Sequence, residues 1–119
     1  MQLESLIRII EGNHLNHNVP IGNIEIPYVG AADLMSDILA LTSKPMMLLT
    51  GLTAIQTIRT AEMSGNILAI TFVRGKIPDE NCLKLASEIL LPIITTRLTM
   101  FQACGVLYAH HLKPIPLNL

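Results

Sequence analysis

From Pro45 onward one pattern is written three times: a short apolar run, a turn carrying Thr or Gly, then an amphipathic helix. The runs are Met46 to Thr50, Ile67 to Val73 and Pro92 to Thr95. The helices that follow span about Ala54 to Ser64, Pro78 to Leu90 and Thr99 to Leu112, with stops at Gly65 and Pro114. Strands this short, apolar on both faces and alternating with helices require a sheet covered on both sides. The predicted fold class is therefore α/β: a single domain over residues 1–119, with a mostly parallel sheet, helices on both faces and right-handed crossovers.

The first 45 residues are less regular. Leu3, Leu6, Ile7 and Ile10 recur at helical spacing before Gly12-Asn13, which predicts a helix over residues 2–11. Residues 13–32 are rich in Asn, His, Gly and Pro. Within them Ile24 and Ile26 alternate with Asn23 and Glu25, which reads as irregular chain plus one short strand. Asp33 precedes Leu34, Met35, Ile38 and Leu39, and its carboxylate is expected to cap a helix running to about Leu41. The tail Pro114-Ile115-Pro116-Leu117 cannot extend the last helix and is expected to pack on a neighbouring surface or fray.

Composition narrows the function classes. At 119 residues and 50% apolar, the chain is long enough to build a core without metal or disulfide staples. Cys82 and Cys104, each in an apolar helical pattern, give neither a disulfide framework nor a zinc spacing, and they suit a reducing cytoplasmic compartment. Eight Lys+Arg against nine Asp+Glu, no Trp and no basic run leave nucleic acid without its electrostatic footprint. The longest uncharged stretch, Leu98 to Leu112, falls short of the ~20 residues a bilayer span needs. The amphipathic N-terminus, with Glu4 and Arg8, does not read as a signal peptide. A soluble cytoplasmic protein is expected, with no membrane partner. Mean hydropathy of +0.50 with only 14% charged residues exceeds what a monomer of this size hides and predicts a homodimer.

Seven glycines, at 12, 22, 30, 51, 65, 75 and 105, are too dispersed for a phosphate-cradling Gly-rich turn, and Ile77 after Gly75-Lys76 removes the magnesium-binding hydroxyl of a P-loop. No Ser-His-Asp arrangement has local support. His14 and His17 lie in an Asn-rich stretch without metal-site geometry, and adjacent His110-His111 point apart, so no metal or cofactor is expected. What remains is the carboxyl end of the predicted sheet, where open α/β folds bind ligands. There the strands end in Thr50-Gly51-Leu52-Thr53, Arg74-Gly75-Lys76 and Thr95-Thr96-Arg97. Hydroxyls, two guanidinium groups and an ammonium before helix N-termini fit a small anion, although the same residues serve equally as caps and solvated loop charges.

Tyr28-Val29-Gly30, Asp33-Leu34-Met35-Ser36-Asp37-Ile38-Leu39, Thr50 through Thr53, Gly75-Lys76-Ile77-Pro78-Asp79, and Thr95-Thr96 with Phe101, Gly105, Leu107 and Tyr108 resemble the DRTGG domain in order and spacing across nearly the whole chain. The family's Asp-Arg pair falls here at Thr53-Ala54 and its Thr-Gly-Gly at Val73-Arg74-Gly75, so only Gly75 is kept. The resemblance implies an α/β module similar to the N-terminal domain of HPr kinase, found alone or beside CBS pairs, in regulated pyrophosphatases and in some phosphotransacetylases. It also implies a non-catalytic regulatory or protein-interaction role. The expected ligand is a small anion such as an adenine nucleotide, and the candidate residues are Thr50, Gly51, Thr53, Arg74, Gly75, Lys76 and Thr96. The rival readings are a small phosphoryl-transfer enzyme and a structural subunit of a larger metabolic complex.

Overall fold

The computed structural model describes residues 1–116. Among them are five helices, α1 (Leu3–Ile9), α2 (Met35–Leu41), α3 (Ile55–Ser64), α4 (Glu80–Glu88) and α5 (Met100–Ala109). The strands are β1 (Asn13–His14), β2 (Tyr28–Ala31), β3 (Met46–Thr50), β4 (Ile67–Phe72), β5 (Ile93–Thr95) and β6 (Lys113–Pro114). They form one sheet in the order β1-β5-β4-β3-β2-β6, parallel throughout except for β1, which runs antiparallel to β5.

The predicted doubly covered sheet is the one observed, and the reason is visible in β3. All five of its residues are buried, with Met46 and Leu48 facing one layer and Met47 and Leu49 the other. The first layer holds Ile38 of α2, Ile58 and Ala61 of α3, and Cys82 and Ala86 of α4. The second holds Leu3 and Leu6 of α1 with Ala103 and Leu107 of α5. Alternation along β4 breaks once, because Met46 pairs with Ile67 while Met47 pairs with Ala69, so Leu68 is an extra residue that puts itself and Ala69 on the same face.

Three local expectations change. The strand predicted around Ile24 and Ile26 lies further on, at Tyr28–Ala31. Ile24 O accepts from Leu3 N–H and Ile26 N–H donates to Met1 O, so that segment is extended because it is tied to the start of α1, not to the sheet. Asp33 caps no helix: Leu34 occupies the N-cap of α2 and no side chain satisfies it. Pro78 also stands before, not within, the first turn of α4, whose cap is Asp79, accepting from Cys82 N–H at 2.9 Å. That hydrogen bond holds the exposed Asp79 carboxyl below its ordinary range. The α5 start is a complete capping box between Thr99 and Gln102. The tail packs rather than frays up to residue 116, since β6 pairs with β2 and Ile115 is buried; Leu117 lies outside the described residues.

Asn16 fastens the chain after β1 to β5. Its side chain donates to Leu91 O and accepts from Ile93 N–H, both at 2.8 Å and both buried. Replacing it with Ala strands two buried backbone groups, and each such loss costs about 1–3 kcal/mol. Urea denaturation of Asn16→Ala should show a midpoint loss of that order with an unchanged m value, whereas an unchanged midpoint would mean the clasp contributes nothing.

Candidate functional site

The carboxyl ends of β2 to β5 gather the sequence-predicted residues, but in two separate places. At the β2/β3 corner, Gly51 N–H donates to Asp33 Oδ1 at 2.6 Å, and the Thr50 hydroxyl donates to the same oxygen at 3.4 Å while accepting from Leu52 N–H. Lys76 Nζ donates to Gly51 O at 3.0 Å. A Cβ on Gly51 would sit 3.2 Å from Asp33 Oδ1 and 3.3 Å from Lys76 Nζ, so glycine is what lets acid and ammonium close over this turn. The corner thus has its anion already, supplied by Asp33. Thr50, Gly51 and Lys76 are tied to Asp33 and to one another within the fold. Thr53 is half-buried, and its carbonyl faces Cys82 Sγ at 3.5 Å.

The turn after β4 is likewise committed. Arg74 and Gly75 are consecutive left-handed residues, with φ of 58° and 68°, a conformation that costs a non-glycine residue about 1–2 kcal/mol. It turns their amides inward: Arg74 N–H donates to Leu98 O at 2.9 Å, Gly75 N–H to Thr96 O at 2.7 Å, and Lys76 N–H to Val73 O at 3.2 Å. These three amides are therefore paired within the fold. The Thr96 hydroxyl is buried, donating to Ile10 O at 2.6 Å and accepting from Leu98 N–H. The Thr95 hydroxyl donates to Lys76 O at 2.8 Å.

What stays open is a crevice between β4 and β5. The helix after β4 lies on one face of the sheet and the helix after β5 on the other, so the two connections part at this point and leave room beyond the strand ends. The space is about 250 Å³ and is lined by Glu11, Asn13, Gly75, Ile77, Thr95, Thr96 and Arg97. Of the predicted set only Gly75 and Thr96 line it; Arg74 is exposed on the same turn. Arg97 is also exposed, and among the described residues the one ion pair joins the N-terminus to Glu25, leaving both guanidinium groups without a carboxylate. Glu11 and Asn13 reach the crevice because β1 docks antiparallel against β5, pairing Asn13 with Thr95. Arg97 was legible as the charge at a strand end. Glu11 and Asn13 were not, because a two-residue strand leaves no periodicity to read.

No family model matches the chain, and no curated protein matches it. Among solved structures the fold is similar to that of the CBS and DRTGG domains of the regulatory region of Clostridium perfringens pyrophosphatase, complexed with its activator diadenosine tetraphosphate. The similarity covers 88% of this chain and 45% of that one, with a TM-score of 0.65 and 16% identity. The chain thus spans less than half the length of that regulatory region. At such identity the likeness establishes the fold, an α/β architecture of the kind found in a DRTGG and CBS regulatory region.

Two expectations test this site's construction. Asp33→Ala removes the acceptor of the Gly51 amide and should lower stability by about 1.5–3 kcal/mol, as for a hydrogen bond to a charged group; chemical denaturation with an unchanged midpoint would show that the corner does not depend on the acid. His14 stands on β1 beside Asn13, with a buried Nε2 that has no partner and with the His17 ring 5.7 Å away. Burial first, and the neighbouring His17 second, hold its pKa below 6.5. The unfolded chain therefore binds that proton more readily, so stability falls as pH drops below about 6.5 and levels off beneath the folded-state value. Thermal melts of His14→Gln should lose part of this slope, and a slope identical to the parent would assign it to other groups.

Proposed function

We propose that residues 1–119 form one DRTGG-type regulatory module, non-catalytic and homodimeric, which senses a small anionic ligand in the crevice between β4 and β5. The observation that carries this reading is the exposed Arg97 guanidinium, free of any carboxylate among the described residues, on the rim of a cavity at the point where the sheet's connections diverge. A guanidinium presents a planar fork of donors that matches phosphate bidentately, and Arg74 adds a second on the adjoining turn. The cavity, about 250 Å³, lies below the ~300–1,000 Å³ of pockets that enclose whole ligands. It suits a phosphate with its ribose better than an entire dinucleotide. The Glu11 carboxylate repels phosphate and attracts hydroxyl or amino groups, while the Asn13 amide can both donate and accept, so a nucleotide is oriented with its phosphate toward Arg97.

An adenine nucleotide is the first ligand to consider because the similar pyrophosphatase regulatory region is complexed with a diadenosine activator. A non-catalytic role is supported by the side chains at the strand ends. The hydroxyls of Thr50, Thr95 and Thr96 all donate within the fold, and burial raises the pKa of both thiols, so neither is a ready thiolate. The free state of both cysteines fits a cytoplasmic setting. Among the described residues no helix is long and apolar enough to cross a membrane.

Calorimetric titration with AMP, ADP, ATP, diadenosine tetraphosphate and inorganic phosphate tests the reading. Arg97→Ala should weaken binding about tenfold or more, since a charge-assisted contact contributes ~1.5–3 kcal/mol and each decade is ~1.4 kcal/mol. Lys76→Ala should change it less than about twofold, because its ammonium is already held by Gly51 O. Equal binding by Arg97→Ala would move the ligand elsewhere, and no binding by the parent protein to any of the five would remove the sensing role.

A further inference from the structure

Helix α5 buries Ala103 and Leu107 against the sheet and leaves the opposite strip uncovered. On that strip Phe101 is 87% exposed and Tyr108 71% exposed. They are seven residues apart, two turns of helix, so both rings stand on one side. Between them lies Gly105, where an added Cβ would meet nothing within 4 Å. Alongside runs a largely apolar groove of about 200 Å³, lined by Val29, Ala31, Leu107, Tyr108, Leu112 and Lys113 among others. The helix carries no charged residue from Met100 to Ala109.

We propose that this face receives a second copy of the chain, the two α5 helices crossing antiparallel at Gly105 so that Phe101 of each copy enters the other's groove. The inference rests on the homodimeric part of the function proposed above and names its surface. A two-fold axis sets every group near it against its own duplicate, so the strip at the axis has to be free of charge; α5 is, from Met100 to Ala109, and Lys113 stands in the groove to one side of it. The glycine leaves the backbone bare at the crossing, and the rings on either side of it become paired knobs four residues above and three below. An aromatic side chain buries roughly 150–250 Å². Four rings from two copies therefore supply half or more of the ~1,200 Å² at which stable interfaces begin.

Sedimentation of the full chain across micromolar concentrations gives the test. The parent protein should be a dimer. Phe101→Glu and Gly105→Glu should each raise the dimer dissociation constant at least 100-fold while melting no lower than a monomer, since position 105 is open and glutamate is the better helix former. Met63→Glu, at an equally exposed position on α3, should leave the dimer intact. Mixing Gly105→Glu with Gly105→Lys should restore association as a heterodimer, a result that only facing 105 positions produce. A dimer that persists in both glutamate variants overturns the proposed face and leaves the pairing itself standing. A parent protein that is monomeric throughout overturns both.

Discussion

The pairing of β3 with β4 is the constraint from which the remainder follows. Ten of their eleven residues are buried, and Leu68 is partly covered, so neither face of this pair can meet water. A parallel ladder so enclosed needs helical crossovers in both layers. With α2, α3 and α4 committed to one side, the other is left to α1 and α5. That division fixes where the chain changes direction: β5 is laid down at the far side of β4, and α5 must then cross the second face to deliver β6 beside β2. The parting of connections between β4 and β5 is a consequence of covering the core, and the crevice is a consequence of the parting.

Polar groups at the sheet's carboxyl edge divide according to what holds the strands' exits in place. Asp33 and Lys76 close over Gly51 and satisfy the end of β3 internally. The left-handed pair Arg74-Gly75 ties the exit of β4 to carbonyls that follow β5, and Thr96 ties the exit of β5 to the end of α1. Backbone strain at Arg74 is therefore offset by two amide hydrogen bonds, to Leu98 O and Thr96 O. Once these needs are met, the guanidinium groups of Arg74 and Arg97 are without a carboxylate among the described residues, so the cationic chemistry left for a ligand is guanidinium rather than ammonium.

How much of this could be read beforehand depended on whether a residue's role was set by its own segment. The runs Met46 to Thr50 and Ile67 to Val73 announced themselves because burial on both faces leaves an unbroken apolar signature. Gly65 and Thr99 gave true boundaries, one by a left-handed C-cap and one by its capping box. Tyr28–Ala31 was missed because it contains Gly30, and that glycine is there for a neighbour: a Cβ would lie 2.6 Å from Met46 Cε. Asp33 was read as a cap because capping is the local use of a carboxylate before a helix, whereas its actual partners are 17 and 18 residues away. The seven candidate residues lie at or just beyond the ends of β3, β4 and β5. Sequence alone could not divide them between corner and crevice, since that depends on which loops lean together.

The two open surfaces differ in chemistry. The crevice is small and polar, rimmed by charge of both signs, and built from the ends of α1, β4 and β5. The α5 face is largely apolar, with Lys113 the one cation lining its groove, and it lies on the helix that begins three residues after Arg97. Thr99 caps that helix and Leu98 O accepts from Arg74 N–H, so the first turn of α5 is attached to the turn on the other side of the crevice. A ligand that draws Arg97 and Arg74 together would load the one segment linking the crevice to the helix whose far side is uncovered. Coupling of this kind between two surfaces requires only that the ligand bind one position of that segment more tightly than the other.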